Sequence, residues 1–180
     1  VTDTKYKQYI KGNDYLKAFE EALKDADAGS KKLYIQAGTY ELSGIWYIYG
    51  SDVKITGAGI WYTNLKFTNP NPFGGGISGG NGSHGPDDYC NNMDISNFYI
   101  NSNLRSRWDQ KAVYKCFMDV FKGGSAIHDI WEDHFECGFW IADYNGKIDY
   151  SSGLKIYNCR IRNNFADGVN FCQGTSDATV

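Results

Sequence analysis

The sequence predicts an all-β chain, a right-handed parallel β-helix preceded by one capping α-helix. Three observations lead there: an internal repeat of roughly 30 residues, a single stretch with helical periodicity, and short apolar runs punctuated by Gly, Asn and Ser in a chain with 21 Gly and only 3 Pro. At 180 residues it is long enough to bury a core of its own and is expected to form one domain over residues 1–180.

Taken in order, the helix comes first. From Asp14 to Ala28 the apolar residues Tyr15, Leu16, Phe19, Ala22, Leu23 and Ala26 recur at helical spacing, with Asn13 or Asp14 as N-cap and Gly29 just past the end. Beyond it the period drops to two. Lys32–Gln36, Thr39–Leu42, Ile45–Tyr49, Val53–Thr56 and Asn64–Thr68 read as strands of three to five residues. Residues 69–88, rich in Gly and without periodicity, read as a long loop that buries little, with Gly-Ile-Ser around Ile77 its one strand candidate.

The repeat follows. Asp94-Ile-Ser-Asn-Phe-Tyr99, Ala126-Ile-His-Asp-Ile-Trp131 and Lys155-Ile-Tyr-Asn-Cys-Arg160 share an Ile, then an Asn, Asp or Asn two residues on, then an apolar or small residue. The last two units extend the match, Phe135–Ile141 over Phe165–Phe171, and Lys54-Ile55-Thr-Gly57 is an earlier, weaker member. Such units fit turns that stack strand upon strand about 4.8 Å apart, with Ile95, Ile127 and Ile156 as an interior ladder and the Asn/Asp at a corner. The crossover rule makes that winding right-handed. An antiparallel sandwich of short strands is the alternative, with Asn81-Gly82 and Asn145-Gly146 as its only hairpin dipeptides.

Charge narrows the partners. Lys plus Arg number 18 against 21 Asp plus Glu, a formal charge of −3, which leaves no basic excess for nucleic acid or an anionic membrane. No apolar run is long enough to span a bilayer, and Val1–Lys5 carries no signal-peptide core. Five cysteines without a CxxC pair give zinc no support. Cys137 and Cys159 read as buried thiols, while Cys90 and Cys116 lie in less regular stretches and could pair in an exported protein. His84, His128 and His134 form no ligand cluster; no cofactor is expected, and Asp87-Asp88 is at most a minimal calcium candidate.

Residues 14–42, ending in Gln36-Ala-Gly-Thr-Tyr40, resemble the opening of pectate-lyase-like β-helix proteins. Ile55–Phe67 together with Ile161–Thr175 resemble glycoside hydrolase family 87, the α-1,3-glucanases and mycodextranases. The resemblance implies a secreted hydrolase acting on α-glucan by inversion. Polygalacturonases of family 28 share the Asp-Gly-[Ile/Val]-Asn element, with Arg160 and Arg162 as donors to a uronate, and a non-catalytic carbohydrate-binding β-helix is a reading from another class.

By spacing alone, Asp167-Gly168 is a solvated turn; the resemblance makes Asp167 a catalytic carboxylate. Asn170 and Trp140 are expected beside it on one outer face, with Trp140 and Trp131 as planes for a pyranose ring. Trp46 and Trp61 read as core or packing residues. The family's paired carboxylates about one turn later have no counterpart before Val180, so the chain is expected to be the N-terminal part of a longer β-helix. Glu132, Asp133, Glu136 and Asp143 are expected on solvated faces or loops.

Overall fold

The computed structural model describes residues 3–83, 88–106, 112–142, 151–172, 175–176 and 178–180. His84, Asp87, Asp143 and Asn145-Gly146 lie outside the described residues. Helix α1 spans Leu16–Ala28, two residues shorter than its periodicity suggests. Asp14 sits just outside it: its Oδ1 accepts from the N–H of Leu16 at 3.1 Å, and its other oxygen accepts from the Ser43 hydroxyl at 2.6 Å. That carboxylate therefore serves the helix start and the first strand layer together. The buried stripe Ala18, Phe19, Ala22, Leu23 and Ala26 faces the sheets, with the Phe19 ring 4.9 Å from Trp46 and 5.5 Å from Tyr40, both edge-on. A short 3-10 helix, Thr4–Tyr9, precedes it and is tied to it by the Tyr6 hydroxyl, which donates to Asp25 Oδ2 at 2.9 Å.

The remainder is strands, which the chain lays down in successive passes. The first contains β1 (Lys32–Ile35), β2 (Gly38–Leu42), β3 (Ile45–Ile48) and β4 (Gly50–Ser51), and the second β5 (Lys54–Gly57), β6 (Thr63–Phe67), β7 (Gly76–Gly79) and β8 (Cys90–Asn91). The third holds β9 (Asp94–Asn101), β10 (Lys115–Asp119) and β11 (Phe121–Lys122). The fourth holds β12 (Ala126–Asp133), β13 (Cys137–Ile141) and β14 (Ser151–Ser152), and the fifth β15 (Lys155–Tyr157), β16 (Arg160–Arg162), β17 (Val169–Phe171) and β18 (Thr175–Ser176).

Strands pair in parallel with their counterparts in the next pass, with β11 and β14 the exception among the described residues. One sheet runs β1-β5-β9-β12-β15, with β2-β6 joined to β9 and β16 to β12; a second runs β3-β7-β10-β13-β17; a third β4-β8-β11; and β14 pairs β18. The fold is all-β, mostly parallel, with few helical residues, and the described strands form no antiparallel sandwich. Register explains why. Leu33, Ile55, Ile95, Ile127 and Ile156 are aligned across five strands and all are buried. Trp46, Ile77, Phe117, Phe139 and Val169 align across the second sheet, and the Phe117 and Phe139 rings stack at 4.9 Å. A slip of one residue would turn such a column to water, and each buried Leu, Ile or Phe in it is worth about 1.5–3 kcal/mol.

The recurring Asn/Asp is where the first sheet bends. Asn97, Asp129 and Asn158 have φ of 66°, 51° and 53°, a left-handed conformation that Asn and Asp tolerate best among non-glycine residues. Their side chains also link neighbouring passes: Asn158 Nδ2 donates to Asp129 Oδ1, and Asn97 Nδ2 donates to Thr56 Oγ1 at 3.2 Å.

Three expectations need correction, and a fourth feature concerns the last pass. The strand candidate around Ile77 is β7, but the 69–88 stretch buries more than expected, since β7 is buried at every position. Its glycines are what allow this, since a Cβ on Gly76 would stand 2.2 Å from the Lys115 carbonyl oxygen. Cys90 and Cys116 are not half-cystines; both are free, fully buried strand residues that pack in the core. Trp61 is no core residue but 67% exposed, whereas Trp46 is buried as expected. Along the fifth pass the inward columns are less covered, with Ile161 and Val169 half-buried and Phe171 37% exposed.

Candidate functional site

The second sheet carries the sequence-derived site. Asp167 stands at the entrance to β17, its backbone one rung from Cys137: the N–H of Gly138 donates to the Asp167 carbonyl at 3.0 Å, and that of Phe139 to Gly168 at 2.9 Å. Its carboxylate is exposed, accepts from Asn170 Nδ2 at 2.8 Å, and is engaged by no Lys or Arg among the described residues. Asn170 in turn aligns with Trp140 on the adjacent strand, and its Oδ1 accepts from the Cys172 thiol at 2.9 Å. Asp167, Asn170 and Trp140 thus share one surface strip.

The strip holds more than the sequence pattern suggested. Lys115 Nζ lies 3.3 Å from the centre of the Trp140 ring, a cation–π contact that fixes the indole, and burial holds this ammonium below the usual lysine range. A cavity of about 250 Å³ is lined by Lys115, Trp140, Met118, Asp119, Phe73 and Pro72. Asp119 accepts from the Ser78 hydroxyl at 2.5 Å and has φ of 71°. That left-handed bend breaks the strand alternation, which hid Asp119 from a reading based on period two. Two rungs and about four residues separate it from Asp167, roughly 16 Å by strand geometry, too far for the pair to act across one glycosidic bond.

Trp131 is elsewhere. It lies on β12 in the first sheet, 4.8 Å from Trp61 and 5.4 Å from Tyr99, both edge-on, with the Arg162 guanidinium 4.4 Å from its ring centre. Arg160 and Arg162, the pair a uronate would need, therefore gather over Trp131 and not beside Asp167.

Glu132 and Asp133 contradict their assignment to solvated faces. Asp133 is buried and accepts from Asn163 Nδ2 at 2.8 Å and from Arg162 at 3.2 and 3.3 Å, with His134 Nδ1 at 2.8 Å, so it is a structural ion that ties β12 to β16. Glu132 is 0% exposed and occupies the inward column Tyr40, Leu65, Ile100, Glu132, Ile161. Its Oε1 accepts from Asn164 Nδ2 at 2.6 Å, Oε2 has no partner, and burial pushes its carboxyl up to about 8. Aligning Phe98-Tyr-Ile100 with Ile130-Trp-Glu132 would have revealed this inward carboxyl. Glu136 is half-buried beside β13.

No cluster of three or more His, Cys, Asp or Glu suited to a metal occurs among the described residues. Asp88, half of the calcium candidate, accepts through Oδ1 from the N–H groups of Asn81 and Gly82 and so anchors its own loop. His128 bridges Asp94 at 3.2 Å and Asp129 at 2.7 Å while stacking on Tyr157 at 4.7 Å.

Residues 9–180 match the family described as Alpha-1,3-glucanase catalytic domain D2. The chain belongs to the α-1,3-glucanase catalytic-domain family. Among solved structures, this glucanase-family chain is similar to the Agl-KA catalytic domain, with 47% identity and a TM-score of 0.78 over 93% of the chain and 29% of that protein. It is also similar to a family 87 α-1,3-glucanase catalytic domain in complex with nigerose, with 26% identity and a TM-score of 0.66 over 94% of the chain and 27% of that one. A variant of such a domain in complex with tetrasaccharides gives 25% identity and a TM-score of 0.64, over 95% of the chain and 28% of that protein. The glucanase-family chain thus spans less than a third of the length of these neighbours. Comparison with curated proteins finds no match.

Proposed function

We propose that the protein is a secreted hydrolase of α-1,3-glucan that works by inversion on a right-handed parallel β-helix, with residues 1–180 as the N-terminal part of its catalytic domain. The observation that carries this reading is the coincidence of family and geometry: an α-1,3-glucanase family match over residues 9–180, and a strip in which an exposed Asp167 is oriented by Asn170 beside the Trp140 plane. Nigerose, bound by one of the structural neighbours, suggests the substrate class.

Cleavage with inversion needs one carboxyl to protonate the leaving oxygen and another to activate water, about 6.5–9.5 Å apart. A carboxylate on the rung after β17, one outward position along, would stand roughly 8 Å from Asp167. We place the partner there. Asp167 then holds or moves a proton at the scissile bond, Asn170 fixes its rotamer, and Trp140, braced by Lys115, offers a flat face to a sugar ring.

The test is Asp167→Asn in the full-length protein. Turnover on α-1,3-glucan is expected to fall at least about 100-fold with glucan binding and melting temperature nearly unchanged. Residues 1–180 alone are expected to be inactive. Retained turnover in Asp167→Asn, or hydrolysis by residues 1–180, refutes the assignment.

A further inference from the structure

The first sheet leaves two large rings in water. Trp61 is 67% exposed and Tyr62 65% exposed, in the segment that joins β5 to β6. They are not stray residues of a mobile tip. Trp61 is seated edge-on against Trp131 at 4.8 Å, Arg160 lies 5.6 Å from its ring centre, and the N–H groups of Tyr62 and Thr63 both donate to the Gly59 carbonyl at 3.0 Å. A rigid, exposed indole held at a fixed angle is unusual for a packing residue and suited to stacking.

A cleft opens on each side of it. One, of about 380 Å³, is lined by Thr39, Tyr62, Asn64, Tyr99, Trp131 and Arg162 together with Trp61. The other, of about 290 Å³, is lined by Asn97, Asp129, Asn158 and Arg160 together with Gly59, Ile130 and Trp61. The two share Ile60 and Trp61, so a chain-like ligand can cross the indole with one unit in each. Aromatic planes floored by Asn, Thr and Arg groups match a pyranose, which offers an apolar C–H face and a rim of hydroxyls. Formal charge favours a neutral sugar: Arg162 is neutralised by Asp133, and Arg160 shares its cleft with Asp129.

We propose that Trp61 and Tyr62 form a second, non-catalytic binding site for a neutral α-1,3-glucan chain. It lies on the first sheet, whereas Asp167 and Trp140 lie on the second, so it would hold an insoluble polymer without presenting a bond to the catalytic carboxylate. The choice of glucan as occupant rests on the function proposed above; the cleft itself does not.

The experiment is retention of the full-length protein on insoluble α-1,3-glucan, run beside release of reducing sugar from the same glucan. Trp61→Ala and Tyr62→Ala are each expected to lower retention at least about fivefold, while Tyr157→Ala, which removes an exposed ring near the bend of the same sheet, leaves it unchanged. Retention unaffected by Trp61→Ala and Tyr62→Ala overturns the second site, even where sugar is released. Equal loss in Tyr157→Ala also overturns it, because the effect is then generic to exposed rings. Retention that depends on Trp61 with no sugar released supports the cleft and instead overturns the hydrolase reading.

Discussion

Replacing Glu132 with Gln should remove a pH dependence that its burial imposes on folding. The carboxyl lies in a column of Tyr, Leu and Ile, with Asn164 as its side-chain hydrogen-bond partner, and burial raises it from an ordinary 4.5 to about 8. The folded state therefore keeps a proton that the unfolded chain releases above pH 4.5. The stabilisation is complete below that value, is lost as pH climbs towards 8, and is flat beyond. At about 1.4 kcal/mol for each tenfold change in proton affinity, the window corresponds to roughly 5 kcal/mol, a ceiling because water entering around an ionised Glu132 would relieve part of it. Denaturant unfolding of wild type and Glu132→Gln at intervals from pH 4.5 to 9 reads the difference directly, since every other titrating group is common to both. Wild type should lose at least about 2 kcal/mol relative to Glu132→Gln across the window. Parallel curves would refute the buried, protonated carboxyl.

Three further outcomes follow from the same geometry. Gly138→Ala would place a Cβ 2.5 Å from Glu132 Oε1 and 2.6 Å from the Gly168 carbonyl, so it should cost about 2–4 kcal/mol through overpacking and loss of the Asn164 bond; an unchanged denaturation midpoint would contradict that. Asn97→Val should cost about 1–2 kcal/mol because a branched residue is strained at φ of 66°, and Asn97→Gly should cost less than half as much; equal losses would show that the bend is not the cause. In thiol labelling of the native protein, Cys159 and Cys172 should react well before Cys90 and Cys116, whose thiols burial pushes far up; native labelling of Cys90 at the rate of Cys172 would overturn their placement.

Much of the stacking was legible because it is written twice, as an apolar period and as a corner residue. Ile95, Ile127 and Ile156 fall in register as the repeat implied, and Phe139, Trp140 and Ile141 face Val169, Asn170 and Phe171 at the spacing the sequence shows. Where the reading failed, one of those two signals was missing. The strand at Gly76–Gly79 is visible as a candidate, but with almost no side chains to show a period its burial is not. Glu132 is charged, and charge suggests exposure although its register is that of an interior residue. Asp119 escaped because a left-handed residue ends the alternation at its own position, and Trp61 because it lies in a connection with no period to say which way it faces. Spacing brings Asp167, Asn170 and Trp140 together, whereas only chemistry associates Trp131 with them, and topology puts it on another sheet.

The passes are unequal in length, and this bears on how such a surface can change over generations. Leu33, Ile55, Ile95, Ile127 and Ile156 form one column, yet consecutive members are 22, 40, 32 and 29 residues apart. The difference is carried by the connections, above all 80–89 and 102–114, because both ends of each re-enter a register dictated by the neighbouring strand. Doubling such a connection costs only about 0.6 kcal/mol in closure entropy, whereas one residue inserted in β12 would reverse the facing of every later residue in that strand. Heritable variation is thereby channelled: the wall resists edits, and the connections that rim the Asp167 strip and the Trp61 clefts can be rewritten one at a time to suit a different polymer.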